Sequence, residues 1–221
     1  MKLLIATGNL HKLREIREIL AVSSLDLAGL EDFPLLPEVV EDGDTFQANA
    51  RKKAVTLALA TGLWTLGDDS GLEVDALGGE PGVRSARYAG EPVDYAANNT
   101  KLLRALARVS NRKARFRCVM ALSDPRGRSE VVEGTCEGHI IQECRGLAGF
   151  GYDPLFVPDG HEQTFAEMDG ELKNRISHRS MALSRAAEAW SAVFRDAPAV
   201  FGRSRAGRGS SLPPSCPGKR H

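Results

Sequence analysis

Two adjacent carboxylates, Asp68 and Asp69, stand in the stretch LGDDSGLEVDAL from Leu66 to Leu77, after the apolar Leu63, Trp64 and Leu66 and before Ser70 and Gly71. Their setting reads as the place where a strand gives way to a turn. Two acids side by side repel, and their ionisation is easiest to sustain when a cation or buried donors face them. Hard oxygen ligands of this kind favour Mg2+ or Mn2+ over zinc. Asp-Asp-Ser-Gly is also good turn chemistry, so a metal site and a plain turn both stay open at this point.

Other residues look out of place in the same way. Phe46, Asn49 and Lys53 fall three and four apart on one helical face beside Ala50, Ala54 and Leu57. A lysine on a face of small and apolar side chains either meets an anion or runs its stem out to solvent. Thr7-Gly8-Asn9 separates a strand from a helix and Lys12 follows on the first turn, an arrangement that points free N–H groups and a positive charge at an anion. The Walker ending Gly-Lys-Ser/Thr is missing, and Asn9 as a simple helix cap is the alternative. Gly149-Phe150-Gly151-Tyr152-Asp153-Pro154 holds two aromatics and an acid on a glycine-hinged loop. Such rings either stack a flat base, at roughly 1 to 3 kcal/mol per base, or anchor the core. In Lys173-Asn174-Arg175-Ile176-Ser177-His178-Arg179, Ser177 reads as an N-cap, which puts His178 and Arg179 on a first helical turn where cations oppose the dipole. A local rule broken in this way hints at function. Arg84 and Arg87 flank small residues and are compatible with an anion site or with helix-capping salt bridges.

The elements that must position these groups are readable from periodicity. Lys2–Ala6 is a short apolar strand, and His11–Leu20 a helix with Leu13, Ile16 and Leu20 inward and Arg14, Glu15, Arg17 and Glu18 facing out. Pro34 and Pro37 mark an extended connection to Glu41-Asp42-Gly43. A second helix then starts with Asp44 as N-cap and Gln47 reaching back, and ends at Gly62. Leu72–Leu77 reads as a strand, Gly78–Gly82 as a loop, and Asp94 opens a third helix with Leu102, Leu103 and Leu106 in the core. Ala114–Ser123 alternates, with Phe116, Cys118, Met120 and Leu122 on one face, and forms an antiparallel hairpin with Ser129–Cys136. A last helix turns Met181, Leu183, Ala187, Trp190 and Phe194 inward.

Composition sets the frame. With 221 residues, 42% hydrophobic and 26% charged, the chain has the make-up of an ordinary globular protein with ample core. Its formal net charge is zero, which argues against a long nucleic acid or a membrane as partner and makes any anion site local. The four cysteines show no C-x-x-C spacing, and with no signal-peptide pattern or apolar span the expectation is a reduced, cytoplasmic protein. Beyond Gly202 the composition shifts to Arg, Gly, Ser and Pro, so residues 203–221 are expected to be a disordered basic tail behind a domain of residues 1–202.

The motifs TGNLHKLREI, Glu41–Ala54, DDSGLEVDALGG, SARYAG, FGYDPLF, TFAEM and KNRISHR resemble, in order, those of the inosine triphosphate pyrophosphatase family, over residues 1 to about 196. Ala48 and Leu172 stand where the family has acids, and Ser180 and Met181 fill a variable pair. The resemblance implies an elongated α/β fold of two lobes around a central mixed sheet, a nucleotide cleft between them, and a homodimer. It implies hydrolysis of inosine, deoxyinosine and xanthosine triphosphates to monophosphate and pyrophosphate. By the same resemblance Thr7, Gly8, Asn9, Leu10, His11, Lys12, Lys53 and Ser70 hold the triphosphate, and Glu41 and Asp69 hold Mg2+, with Mn2+ as a substitute. Asp69 takes the proton of the attacking water, with Lys53 beside it in the catalytic centre. Phe150, Gly151, Tyr152, Asp153, Lys173, His178 and Arg179 form the base pocket. A pyrophosphatase for modified pyrimidine triphosphates would share fold and cleavage but lack the FGYD and SHR motifs. A non-catalytic nucleotide-binding protein would have replaced Glu41, Asp69 and Lys53.

Overall fold

A computed structural model describes residues 2–21, 25–191 and 193. Strand β1 (Lys2–Ala6) leads to Asn9, whose side chain accepts from the backbone N–H groups of His11 and Lys12 and so starts helix α1 (Leu10–Leu20). Strand β2 (Asp26–Ala28) returns beside β1. Helix α2 (Phe46–Thr61) is capped by Thr45, one residue later than the Asp44–Gln47 pairing suggests, because the Thr45 hydroxyl accepts from Ala48 N–H at 3.1 Å. It stops at Gly62, whose φ of 69° suits a residue without Cβ. Asp94 caps α3 (Tyr95–Ala105) and Ser177 caps α5 (His178–Ala189), with the short α4 (Gly170–Ile176) just before it.

The sheet runs β2-β1-β3-β4-β5-β6, where β3 is Trp64–Val74, β4 Lys113–Ser123, β5 Ser129–Ile140 and β6 Phe156–Pro158. β1 is parallel to β2 and β3, and the remaining pairs are antiparallel, giving the expected mixed α/β sheet. The reading of Asp68-Asp69 as a strand end is corrected. Every residue from Thr65 to Val74 pairs with β4, from Ser123 back to Ala114, and this long ladder overrides the local turn chemistry. Leu72–Leu77 is likewise not a separate strand: β3 runs to Val74 and Asp75–Leu77 forms a 3-10 turn.

β3 and β4 thread two cores. Leu66, Cys118, Met120 and Leu122 pack with α1 and α5, whereas Leu72, Val74, Ala114 and Phe116 pack with α3 and residues 152–168. A third cluster, with Phe46, Ala50, Ala54, Val119 and Ala121, seats α2 on the opposite face. β1 ends opposite Gly67, so the part of β3 from Asp68 onward has lost that neighbour and lies between the two lobes. Two glycines permit the close packing. A Cβ at Gly67 would lie 2.3 Å from the Ala50 carbonyl oxygen, and one at Gly134 would lie 2.2 Å from that of His178. On α5 Leu183 and Trp190 are buried and Ala187 half-buried, but Met181 is exposed rather than inward, since it lies beside the solvent-facing Arg185 and Glu188. Phe194 and residues 203–221 lie outside the described residues. Among the described residues no helix is long and apolar enough to cross a membrane.

Candidate active site

Because side chains alternate along a strand, Asp68 and Asp69 point to opposite faces of β3. Asp68 is fully buried against α1 and α5, where Oδ1 pairs with Lys12 Nζ at 2.7 Å and Oδ2 accepts from Arg179 Nε at 3.2 Å and from the Cys118 thiol at 3.0 Å. Burial acts to raise its pKa, but the Arg179 and Lys12 charges win and hold it well below the usual carboxylate range. Asp69 faces α2, where Oδ2 accepts from Asn49 Nδ2 at 3.0 Å and Oδ1 lies 3.9 Å from Lys53 Nζ. Burial pushes this carboxyl up, Glu41 adds to the push, and Lys53 and Lys12 oppose it. The two acids therefore do not share one environment. Asp68 is an anion neutralised by two cations, while the charge on Asp69 is opposed by burial and by Glu41.

Lys53 does not run out to solvent. It is 6% exposed, and its ammonium donates to Glu41 Oε2 at 2.7 Å and to the Asp68 carbonyl oxygen at 2.6 Å, on the edge of β3 that β1 has vacated. Glu41 and Asp69 thus flank one lysine, and two carboxylates around one cation leave negative charge over. Among the described residues no cluster of three or more His, Cys, Asp or Glu side chains could hold a metal ion. An all-oxygen pair with spare negative charge fits Mg2+, which is bound by one or two carboxylates and by substrate phosphates.

These groups line a cavity of about 290 Å³ between the lobes. Thr7, Gly8, Asn9, Lys12, Glu41, Lys53, Asp69 and Ser70 line it, as do Phe150, Gly151, Tyr152, Asp153, Lys173, His178 and Arg179. Leu10 and His11 do not: Leu10 is exposed, and the His11 ring stacks on Phe150 instead. Tyr152 is a core anchor as well as a wall, since its hydroxyl donates to the Ser85 carbonyl oxygen at 2.9 Å from a buried position. Ser85 comes within reach because Gly71 has no Cβ; one there would lie 2.3 Å from Ser85 Oγ.

Of the two first-turn residues of α5 read as cations, Arg179 finds its counter-charges here. Arg179 donates to Asp68, to Ser70 Oγ at 2.9 Å through Nη2, and to Glu15 through Nη1. Lys173 Nζ donates to Asp153 Oδ2 at 2.6 Å and Glu15 Oε1 at 2.7 Å. Burial works to lower the Lys173 pKa, but Asp153 and Glu15 outweigh it and keep the ammonium charged. Glu15 is the chief residue that sequence reading missed. It does not face out but bridges Lys173 and Arg179, whose charges overcome its burial and lower its pKa. His178 stacks on Phe116 at 4.8 Å, and burial, with Arg179 and Lys173, holds its pKa well below the usual value, so it stays neutral.

An α/β protein whose interlobe cleft is lined by lysines, two carboxylates and aromatic rings has the equipment of a nucleotide-handling enzyme. Comparison with known proteins gives the family. The Ham1 family model matches residues 3–189, and the chain belongs to the Ham1 family. A dITP/XTP pyrophosphatase of Desulforamulus reducens is 54% identical over 190 residues, covering 85% of this chain and 94% of the relative. One of Geobacter sulfurreducens is 51% identical over 185 residues, covering 83% and 93%. Among solved structures, the Ham1 protein of Staphylococcus aureus superposes with a TM-score of 0.79 at 37% identity, covering 87% of this chain and 100% of that one. The HAM1 protein of Coxiella burnetii gives 0.79 at 40%, covering 87% and 99%.

Proposed function

We propose that this chain hydrolyses the non-standard purine nucleoside triphosphates of inosine, deoxyinosine and xanthosine to monophosphate and pyrophosphate. The observation that carries the reading is one cleft lined both by Lys12, Lys53, Glu41 and Asp69 and by Phe150 and Lys173. The pyrophosphatase names of the relatives point the same way. Lys12 and Lys53, with the N–H groups of the Thr7–Asn9 turn, hold the phosphates, and Ser70 stands beside them. Asp69, with its raised proton affinity, accepts the proton of a water lying in line with the α-phosphorus, a role that requires hydrogen-bond reach. What Mg2+, or Mn2+ in its place, supplies when held by Glu41 and Asp69 is neutralisation of the charge that builds on the leaving pyrophosphate. Asn49 orients Asp69 for this, and Lys53 adds positive charge on the same side.

The base end selects by hydrogen-bond polarity. Lys173 and Arg179 can only donate, so they suit the 6-carbonyl of hypoxanthine and xanthine and leave adenine's 6-amino group opposed. Arg179 lends most of its donors to Asp68, Ser70 and Glu15, so the base meets it as part of a fixed ion-pair chain rather than as a free arm. The enzyme acts as a cytoplasmic homodimer, and its activity resides in residues 1–202, so removal of residues 203–221 leaves turnover unchanged. The test is a turnover panel of inosine, xanthosine, adenosine, guanosine and uridine triphosphates, with pyrophosphate and phosphate measured separately. Release of phosphate, or equal turnover of adenosine and inosine triphosphates, would refute the reading.

A further inference from the structure

His11 sits outside the cleft lining and is exposed, yet its ring lies flat on Phe150, with centroids 5.0 Å and planes 12° apart. Tyr95, on α3, meets both rings, at 6.4 Å and 63° to His11 and at 6.1 Å and 51° to Phe150. Two hydrogen bonds tie the same three segments together. Asn9 Nδ2 donates to the Tyr95 hydroxyl at 3.4 Å, and Asn99 Nδ2, also on α3, donates to the Gly151 carbonyl at 3.0 Å. Phe150 itself stands on a loop between Gly149 and Gly151, at φ of 74° and 62°, and is only half-buried. A ring on such a loop holds one plane only if neighbours brace it. Since Phe150 and Tyr95 line the cleft and His11 does not, His11 supports the ring from outside, and on the cleft side Lys173 Nζ stands 5.3 Å from the ring centroid.

We propose that His11, together with Tyr95, is a positioning residue that sets the plane of Phe150 for stacking on the substrate base. The helix that carries Lys12 to the phosphates would then also orient the ring that meets the base. This rests on the nucleotide reading above and moves His11 from the phosphate end to the base end.

The test measures kcat and KM for inosine triphosphate, and competitive inhibition by inorganic tripolyphosphate, which has no base. The proteins are the wild type, His11→Ala, His11→Phe and Tyr95→Ala. An aromatic pair of this kind corresponds to roughly a twofold to tenfold change in binding. His11→Ala should raise KM by about that factor with kcat little changed and the tripolyphosphate inhibition constant unmoved. His11→Phe should restore KM, and Tyr95→Ala should shift it in the same direction as His11→Ala. An unchanged KM in an active His11→Ala protein overturns the inference alone, as does an equal rise in the tripolyphosphate constant, which would return His11 to the phosphates. A wild type that hydrolyses no nucleoside triphosphate would bring down the nucleotide reading and this inference together. His11 is exposed, and melting curves for both His11 variants separate ring positioning from loss of fold.

Discussion

Replacing Asp68 by Asn removes the charge that Lys12 and Arg179 share, while the same replacement one residue later, at Asp69, removes a charge that the fold holds at a cost. Asp68 is fully buried, with Lys12 Nζ at 2.7 Å and Arg179 Nε at 3.2 Å. Removing one partner of a buried ion pair costs about 3 to 5 kcal/mol, because the other charge is left uncompensated. Arg179 keeps Glu15 and Ser70, so the lower part of that range applies. At about 2 to 4 °C per kcal/mol for a domain of this size, Asp68→Asn should melt roughly 6 to 12 °C below the wild type. Asp69 differs in sign. Its pKa is raised, by burial first and by Glu41, so its ionised form weakens the fold at neutral pH; an Asn there keeps the bond from Asn49. Asp69→Asn should therefore melt at or slightly above the wild-type temperature while turnover falls by at least about 100-fold.

Acid gives an independent check on the same pair. Since the folded pKa of Asp68 lies below its unfolded value, its contribution is complete above about pH 3.9 and disappears as pH falls through the folded value. The gap between wild type and Asp68→Asn should thus stay constant from neutral pH down to about pH 4 and close only below it. Thermal melts at fixed ionic strength and a pyrophosphate-release assay on all three proteins decide the matter. If Asp68→Asn melts like the wild type, or Asp69→Asn loses stability while remaining active, the assignment of the two acids to opposite faces with opposite roles is wrong.

Glu15→Gln should lower both the melting temperature and kcat/KM for inosine triphosphate, because Lys173 and Arg179 then face each other without the anion between them; unchanged values for both would show that the bridge is dispensable. His178 is neutral when folded and titrates near pH 6.5 when unfolded, so its share of stability is present above pH 6.5 and is lost by up to about 1.4 kcal/mol per unit as pH falls below it. His178→Asn should flatten that slope in melts between about pH 5 and 7, and an identical slope would mean that other groups set it. Gly134→Ala puts a Cβ 2.2 Å from the His178 carbonyl oxygen and should cost about 1 to 3 kcal/mol by overpacking while lowering turnover, since it lifts the start of α5 off β5. A melting curve like the wild type's would show that the helix has room to move.

What the sequence made legible was local. The caps at Asp94 and Ser177, the αL stop at Gly62, the inward Leu13, Ile16 and Leu20 of α1 and the β4–β5 hairpin all depend on residues within a few positions of each other. The face joining Phe46, Asn49 and Lys53 was visible for the same reason, and it delivers Asn49 and Lys53 to Asp69. What stayed hidden depends on distant partners. Asp68–Gly71 has the chemistry of a turn, and only the ladder to Val119 and its neighbours, about fifty residues on, makes it strand. That ladder also separates two acids that look coupled in the sequence. The Thr45 cap was missed by one position because Asp44 and Thr45 are both good caps, and the choice between them depends on how the chain enters the helix.

Glu15 is the instructive failure, because charge accounting could have found it. Its neighbours Arg14, Arg17 and Glu18 are exposed, so the helical pattern gave no reason to treat it differently, and its partners lie 158 and 164 positions away. Yet Arg179 was marked in the sequence as a cation in a place that disfavours it, and in the structure Lys12 and Lys173 stand near it against two acids, Asp68 and Asp153. Buried charges persist only when paired, so a third acid had to come from some element facing α5. In the structure it comes from α1, and the result is an alternating chain, Lys12–Asp68–Arg179–Glu15–Lys173–Asp153, with three charges of each sign. The chain runs from the lysine proposed to hold phosphate to the loop proposed to hold the base. A substitution at either end therefore throws a buried charge onto its one remaining ionic partner, Asp68 onto Arg179 or Lys173 onto Glu15, and those two partners are themselves paired in the middle of the chain. Kinetic effects of Lys12 and Lys173 substitutions should accordingly be non-additive, although the two side chains need never touch the same part of the substrate.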